Sequence, residues 1–143
     1  MTLYENAGPD ILEIYTDGAS RRNPGPAAFA FLFVKNGEIT FEASEYLGEA
    51  TNNTAEYRAI IAALQKAGDI TQGPVRICSD SELVVRQIRG AYRINQPHLQ
   101  ELRSEVATLE KQFSRIEFRN VPRENRFIQR CDALCNETLD RHR

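Results

Sequence analysis

Short apolar runs in the first third of the chain predict β-strands. These runs cover residues 11–16, 27–34 and 39–47. The first strand is predicted to stop at Asp17, and residues 19–26, which are rich in Pro, Gly and Arg, are predicted to form a loop. Asn36-Gly37 is a two-residue hairpin signal between the second and third runs, so an antiparallel meander of three strands is expected.

Apolar residues recur at helical spacing in the rest of the chain, with two further short strands between them. The first helix is predicted to start from a cap at Asn53 or Thr54 and to end at Gly68. Further helices are predicted over residues 81–88, 97–113 and 128–139, and further strands over residues 75–79 and 115–120. This order predicts an α/β fold with a mixed sheet flanked by helices.

The chain has 143 residues, of which 41% are hydrophobic and 27% charged, the balance of a soluble globular protein with one core. We expect a single domain over residues 1–143, with residues 1–10 as a loosely ordered extension. No apolar run has the length of a membrane span, and the first residues lack the pattern of a signal peptide. Three cysteines do not suggest a disulfide framework, so a cytoplasmic location is expected.

Net charge gives no sign of a dedicated nucleic-acid binder. The chain has 18 Lys and Arg against 20 Asp and Glu, a formal charge of −2. Nucleic-acid-binding domains are usually basic, because neutralising phosphates supplies much of their affinity. An acidic average is nevertheless compatible with an enzyme that gathers carboxylates around a metal ion, so local patterns must decide.

Four carboxylates occupy unusual positions. Asp17 and Asp80 each follow a predicted strand, where ligand sites form in α/β sheets, although turn formation alone also explains an aspartate there. Glu56 and Asp132 fall on the apolar stripes of predicted helices, where a carboxylate is costly unless it is paired or bound to metal. Together the four predict an oxygen-ligand site for a hard divalent cation, Mg²⁺ or Mn²⁺ rather than zinc.

Five sequence blocks resemble the ribonuclease H type 1 family and occur in that family's order. They are TDGAS at residues 16–20, NPGP at 23–26, TNNTAE at 51–56, SDS at 79–81 and CDAL at 131–134. The resemblance extends from about residue 11 to the end, and residues 80–87 look most like the compact archaeal-type branch, which lacks a basic protrusion. It implies a ribonuclease H-like five-stranded sheet with three antiparallel strands and then two parallel ones.

The resemblance also implies an activity, namely endonucleolytic hydrolysis of the RNA strand of RNA–DNA hybrids that leaves 5′-phosphate and 3′-hydroxyl ends. It carries the four acids over as catalytic residues that hold two Mg²⁺ ions, with Mn²⁺ as a substitute, and Asp17 is expected to bridge the two. Two cations about 3.5–4 Å apart hold the attacking water and stabilise the leaving oxygen. The expected partner is the hybrid and not a membrane, and the expected state is a monomer.

By the same resemblance, small polar residues near the acids contact the substrate. The implied substrate-binding residues are Gly18, Ala19, Ser20, Asn23, Thr51, Asn52, Asn53, Ser81 and Glu82. The first three are expected to bring main-chain groups to the RNA ribose, whose 2′-hydroxyl distinguishes RNA from DNA. Asn23, Thr51 and Asn52 would hold a phosphate of the DNA strand, and Asn53 and Glu82 would face the minor groove. Helix capping is the alternative for Asn52 and Asn53.

The chain departs from the family in the loop before the last acid. Well-studied members have a mobile histidine there, but the two histidines of this chain are His98 and His142. Compact members have an arginine instead, which indicates Arg123 as the residue that assists product release or the leaving group, with Arg126 behind it. Arg123 lies nine residues before Asp132, whereas about seven is usual, so a solvated basic loop is the alternative.

A second departure is the short segment of residues 90–96, where longer members have a helix rich in Lys and Trp. Near this segment, four basic and aromatic residues form either a smaller binding patch or, alternatively, a solvated helix face; they are Arg86, Arg89, Tyr92 and Arg93. Weak, salt-sensitive substrate binding is therefore expected. The rival functions are a catalytically silent hybrid-binding module, which has no need of four acids, and a DNA nuclease on the same scaffold.

Overall fold

A computed structural model of the chain describes residues 10–143, so the predicted extension lies outside the described residues except for Asp10. The elements are β1 (Leu12–Ser20), β2 (Gly25–Lys35), β3 (Glu38–Ala50), α1 (Asn52–Gly68), β4 (Val75–Ser79), α2 (Glu82–Ile88), α3 (Pro97–Glu110), β5 (Ile116–Asn120) and α4 (Arg126–Arg141). Within residues 10–143, no helix has both the length and the apolar character needed to cross a membrane.

The strands form one sheet in the order β3-β2-β1-β4-β5, which confirms the predicted fold. β1 is central, pairing antiparallel with β2 and parallel with β4, which in turn pairs parallel with β5. The hairpin between β2 and β3 turns at Asn36 and Gly37, whose φ angles of 53° and 79° fit the predicted two-residue turn. The sheet direction therefore changes at β1, where ligand sites form in such sheets.

Each face of the sheet has its own apolar core. Alternation along β1 sends Ile14 into the larger core, which it shares with α1, α2 and α3. Tyr15 points into the smaller core under α4, where the three cysteines are buried as free thiols. The side chain of Asp17, two residues after Tyr15, belongs by the same alternation to the face that α4 covers.

The first strand is longer than predicted, which changes where Asp17 lies. β1 does not stop at Asp17, because its pairing with β2 continues from Asp17↔Ala30 to Ser20↔Ala27. Its pairing with β4 does stop, at Thr16↔Ser79. The predicted loop over residues 19–26 is therefore wrong, since only residues 21–24 lie between the strands.

The cap of α1 also differs from the prediction. Thr51 is the N-cap, and its hydroxyl accepts a hydrogen bond of 3.2 Å from the backbone N–H of Thr54. Asn53 and Thr54, predicted as caps, lie inside the first turn. Threonine and asparagine are both good caps, so the motif favours several adjacent positions, and the one used is the residue directly after β3, which ends at Ala50.

Candidate active site

Three carboxylates meet in a gap that opens where β4 ends. Asp17 lies on β1 one residue beyond the last pair with β4, and Asp80 directly follows the last residue of β4. Glu56 reaches the same gap from the first turns of α1 on the other side of the sheet. One ligand oxygen from each of the three lies within 4.8 Å of the others. The end of β4 thus lets side chains from both layers converge.

Gly18 makes this convergence possible by letting α1 pack directly on β1. A Cβ atom at residue 18 would contact the carbonyl carbon of Ala55 and lie 2.5 Å from the backbone nitrogen of Glu56. The space, and not an unusual backbone angle, requires glycine here. From the sequence, Gly18 was predicted to contact the substrate, and its packing role was missed. The position of this glycine, directly after an acid on a strand that packs against a helix, is the feature that could have indicated that role.

The three carboxylates are in an environment that disfavours charge. Burial, and then the charges of Asp80 and Asp132, raises the pKa of Asp17 to about 7. Burial, and then the charges of Asp17 and Asp80, raises the pKa of Glu56 well above its ordinary value. The pKa of the half-buried Asp80 is also raised, mainly by burial. Ionised carboxylates this close need a compensating positive charge.

Their hydrogen bonds do not supply that compensation. The backbone N–H of Gly18 donates to Oδ1 of Asp17 at 3.0 Å, but Oε1 of the buried Glu56 has no partner among residues 10–143. A buried polar oxygen without a partner is costly. Three hard oxygen donors with one of them unpaired fit a divalent cation such as Mg²⁺, which takes carboxylate oxygens and keeps several waters.

Asp132 lines the same cleft but differs from the other three acids. The prediction that it lies on a buried stripe is wrong: Ile128 and Cys135 on that stripe are buried, whereas Asp132 is exposed. The reason is that position 132 faces the open cleft, while Ile128 and Cys135 on α4 face the smaller core. Its Oδ2 accepts a hydrogen bond of 3.3 Å from Nδ2 of Asn136 one turn later.

The two arginines proposed from the sequence lie in different places. Arg123 lines the cleft, and its charge lowers the pKa of Asp17 and of Asp80, against the larger effect of burial. Arg126 instead donates a hydrogen bond of 2.9 Å to the carbonyl of Gly37 in the hairpin, and its guanidinium lies over the ring of Phe127. Of the two candidates for the helper role, Arg123 and not Arg126 therefore lines the cleft with the acids. Gln129, which also lines the cleft, was missed, although it lies three residues before Asp132 on α4.

Three of the polar residues predicted to bind substrate, Ser20, Asn23 and Asn52, are connected by hydrogen bonds at the start of α1. Oδ1 of Asn52 accepts a hydrogen bond of 2.7 Å from the backbone N–H of Ser20. The backbone N–H of Asn52 donates to Oδ1 of Asn23 at 2.9 Å. These bonds tie the β1–β2 turn to α1, so Asn52 connects two elements rather than capping the helix.

The predicted substrate residues reach the cleft to different extents. Those that line it with the acids are Gly18, Asn52, Asn53 and Ser81. Ala19 packs against the smaller core, and Glu82 forms an exposed ion pair of 2.9 Å with Arg86. Thr51 lines a neighbouring groove beside Pro24. Arg86 also lies over the ring of Tyr92, so two residues of the basic patch are in contact with each other.

A mixed sheet with carboxylates converging at its open end defines an α/β protein with an acid-lined cleft. The family model described as "Reverse transcriptase-like" matches residues 15–138. Ribonuclease HI of Halobacterium salinarum is 43% identical over 127 residues, 88% of this chain and 63% of that protein. The crystal structure of RNase H1 from this archaeon superposes with a TM-score of 0.85 at 41% identity, covering 91% of this chain and 98% of that one. The chain belongs to the ribonuclease H type 1 family.

Two further relatives fit the same picture. The crystal structure of LC11-RNase H1, from compost, in complex with an RNA/DNA hybrid has a TM-score of 0.85 at 36% identity, with 92% of this chain and 98% of that chain covered. "Bifunctional protein Rv2228c" of Mycobacterium tuberculosis is 36% identical over 129 residues, 89% of this chain but only 35% of that protein. The chain thus spans less than two thirds of the length of these curated relatives.

Proposed function

We propose that the protein is an endoribonuclease that hydrolyses the RNA strand of RNA–DNA hybrids with the help of divalent cations. The observation that carries this proposal is the cluster of the buried Asp17 and Glu56 with the half-buried Asp80, in which Oε1 of Glu56 has no partner among residues 10–143. A relative of similar fold, LC11-RNase H1, has been crystallised with an RNA/DNA hybrid, which supports this substrate. A silent binding module has no use for three costly carboxylates.

In this proposal the four acids hold two Mg²⁺ ions, for which Mn²⁺ substitutes. Asp17, at the centre, would be the residue shared between them, and Asp132 would complete the set from α4. Two such ions would supply activation of the attacking water and stabilisation of the departing 3′-oxygen, a chemistry that leaves 5′-phosphate and 3′-hydroxyl ends. The acids must all be ionised to hold the ions, so bound positive charge would lower again the raised pKa values of the three clustered carboxylates.

Arg123 has a different task. It is the cationic side chain of the cleft lining, and it faces the acids without being able to bind a cation. We assign it to the leaving group or the departing product, whose new negative charge it stabilises. Gln129, on the same wall, is placed to donate a hydrogen bond to the substrate backbone.

The predicted substrate-binding residues contact different parts of the hybrid. Gly18, with Ala19 and Ser20 after it in the chain, is assigned to the RNA ribose, and Asn53 and Glu82 are assigned to the minor groove, with Ser81 as a further substrate contact. Asn52, which lines the cleft with Gly18, Asn53 and Ser81, holds a phosphate of the DNA strand together with Asn23 and Thr51. A single domain over residues 1–143, a monomeric state and a cytoplasmic location complete the proposal.

The experiment is a cleavage assay on three matched, end-labelled duplexes: an RNA–DNA hybrid, an RNA duplex and a DNA duplex, each with and without Mg²⁺. We expect cleavage of the RNA strand of the hybrid only with Mg²⁺, and none by the Asp80→Asn variant. Glu105→Gln, which removes an exposed carboxylate on α3, serves as the control and should be as active as the parent. Cleavage of the DNA duplex alone would indicate the DNA nuclease, and hybrid binding without cleavage would indicate the silent module.

A further inference from the structure

We infer that a basic groove next to the cleft binds backbone phosphates of the hybrid beyond the cut site. This C-terminal groove lies between the β1–β2 turn and the end of α4, and its lining is Arg21, Arg22, Pro26, Leu139, His142 and Arg143. The inference rests on the proposed function, since it assigns the groove to the same substrate. The arginines of the groove belong to none of the sequence motifs.

An exposed stripe of α4 leads from the acid-lined cleft to the C-terminal groove. Asp132, Asn136 and Asp140 are spaced four residues apart, so they share one exposed stripe that is about 12 Å long. Asn136 donates to Oδ2 of Asp132 at 3.3 Å, and its Oδ1 accepts a hydrogen bond of 3.1 Å from Nη2 of Arg21. A strand that passes the acids and follows α4 therefore reaches the arginines directly.

The C-terminal groove has more positive charge than its own residues neutralise. Arg21 and Arg143 pair with the same carboxylate, that of Asp140, at 2.8 Å and 3.3 Å. Arg22 is exposed at the turn and forms no ion pair with any residue among 10–143. Three arginines and no acid line the groove, so its lining keeps a net positive charge even when the neighbouring Asp140 is counted. Guanidinium is the side-chain group best suited to bidentate contacts with phosphate.

The acid-lined cleft needs a basic surface beside it in order to hold a nucleic acid. Its lining contains four acids and a single basic residue, Arg123, so before cations bind it repels a polyanion. Phosphate contacts supply most of the sequence-independent affinity of a nucleic-acid-binding protein.

The test measures how strongly salt weakens binding of a fluorescein-labelled hybrid of 20 base pairs. The Asp80→Asn protein is used as the parent, so that the hybrid stays intact during the titration. Arg22→Ala and Arg143→Ala are compared with Arg115→Ala, which removes the same charge from an exposed residue before β5, at the opposite end of the sheet. Each groove variant should weaken binding and reduce the slope of log K against log salt by about 0.9, the value for one lost phosphate contact.

The control variant should change the slope by much less than the groove variants. Slopes that stay unchanged in both groove variants, or that fall equally in Arg115→Ala, would overturn the inference. This outcome is separate from failure of the proposed function, because the proposed function is tested by cleavage with the native Asp80. A protein that cleaves hybrids but shows unchanged slopes has the proposed activity without the C-terminal groove.

Discussion

The two walls of the cleft differ in how firmly they are built. On the sheet wall, Asp17, Glu56 and Asp80 are held by a central strand, by a helix in backbone contact with it and by the end of β4. On the helix wall, Asp132 and Arg123 come from α4 and the loop before it, and Asp132 is exposed. The sheet wall is buried and crowded with like charges, whereas the helix wall is open to solvent.

The difference indicates a division of labour. A buried cluster of carboxylates is costly without a cation, so cation binding is expected to be strongest at this wall, where it removes the largest electrostatic cost. The exposed carboxylate of Asp132 has a smaller electrostatic cost to remove, and a hydrogen bond from Asn136 orients it. We therefore expect substitutions on the sheet wall to affect cation binding and stability together, and substitutions on the helix wall to lower activity with little change in stability.

The largest effect is expected from Asp17→Asn, because Asp17 is central to the sheet wall. The amide keeps the shape of the side chain but removes the charge that holds the cations, which supply several kcal/mol of transition-state stabilisation. Hybrid cleavage should fall by about 10³-fold or more. Circular dichroism should show an intact fold, and the metal-free variant should be more stable than the parent, because a like-charge contact is lost. A folded Asp17→Asn protein with full activity contradicts the two-metal assignment.

On the helix wall, Arg123→Ala should lower kcat by about 10–100-fold, a smaller loss than a missing general acid or base can cause. Cation affinity should not change, because a guanidinium does not bind Mg²⁺. The matched control is Arg126→Ala, which removes the same charge three residues later, where it contacts the hairpin. Steady-state kinetics at one fixed salt concentration separate the two variants. Equal kcat values for both variants and the parent show the loop to be only a connection.

The close contact between β1 and α1 predicts a stability effect. Gly18→Ala should lower the free energy of unfolding by about 1–3 kcal/mol, because an added methyl group there meets the backbone of α1. Gly68→Ala is the control, since an added Cβ at the end of α1 meets only the flexible side chain of Gln112. Urea titrations of the two variants give the comparison. A Gly18→Ala protein as stable as the Gly68→Ala protein rules out the close packing.

A smaller effect is expected in the dependence of stability on pH. An isolated aspartate loses its proton near pH 4, whereas burial raises the pKa of Asp17 to about 7 in the folded protein. The folded state therefore retains a proton that the unfolded chain has lost, so the free energy of unfolding falls as pH rises through this interval and levels off above it. Metal-free Asp17→Asn should show a shallower fall, and Asp69→Asn, at an exposed site, should match the parent. Equal pH profiles for the parent and Asp17→Asn contradict the raised pKa.

The sequence predicted the order of elements and the identity of the clustered acids because both depend on local patterns. Apolar runs locate strands and helices, and a glutamate such as Glu56 on an apolar stripe stands out within its own helix. The hairpin at Asn36 was equally local. In each case the information lies within a few residues, so no knowledge of the partner strand or layer was needed.

What the sequence could not predict depends on distant contacts. The end of β1 is determined by its register with β2 beyond the point where β4 stops. The exposure of Asp132 follows from the gap that α4 faces there, which helical spacing cannot reveal. The separation of Arg123 from Arg126 and the packing role of Gly18 likewise arise only when the layers come together.

The most direct test of this account is the effect of Mg²⁺ on thermal stability, because the sheet wall is expected to contain uncompensated charge until a cation binds. At a Mg²⁺ concentration about 100 times its Kd, binding to the folded state adds about 2.7 kcal/mol to the free energy of unfolding. We predict that Mg²⁺ raises the Tm of the parent and of the Glu105→Gln control at neutral pH. The rise should be largely lost in Glu56→Gln, which should also be nearly inactive on the hybrid. No rise in the parent, or an equal rise in Glu56→Gln, would contradict the account.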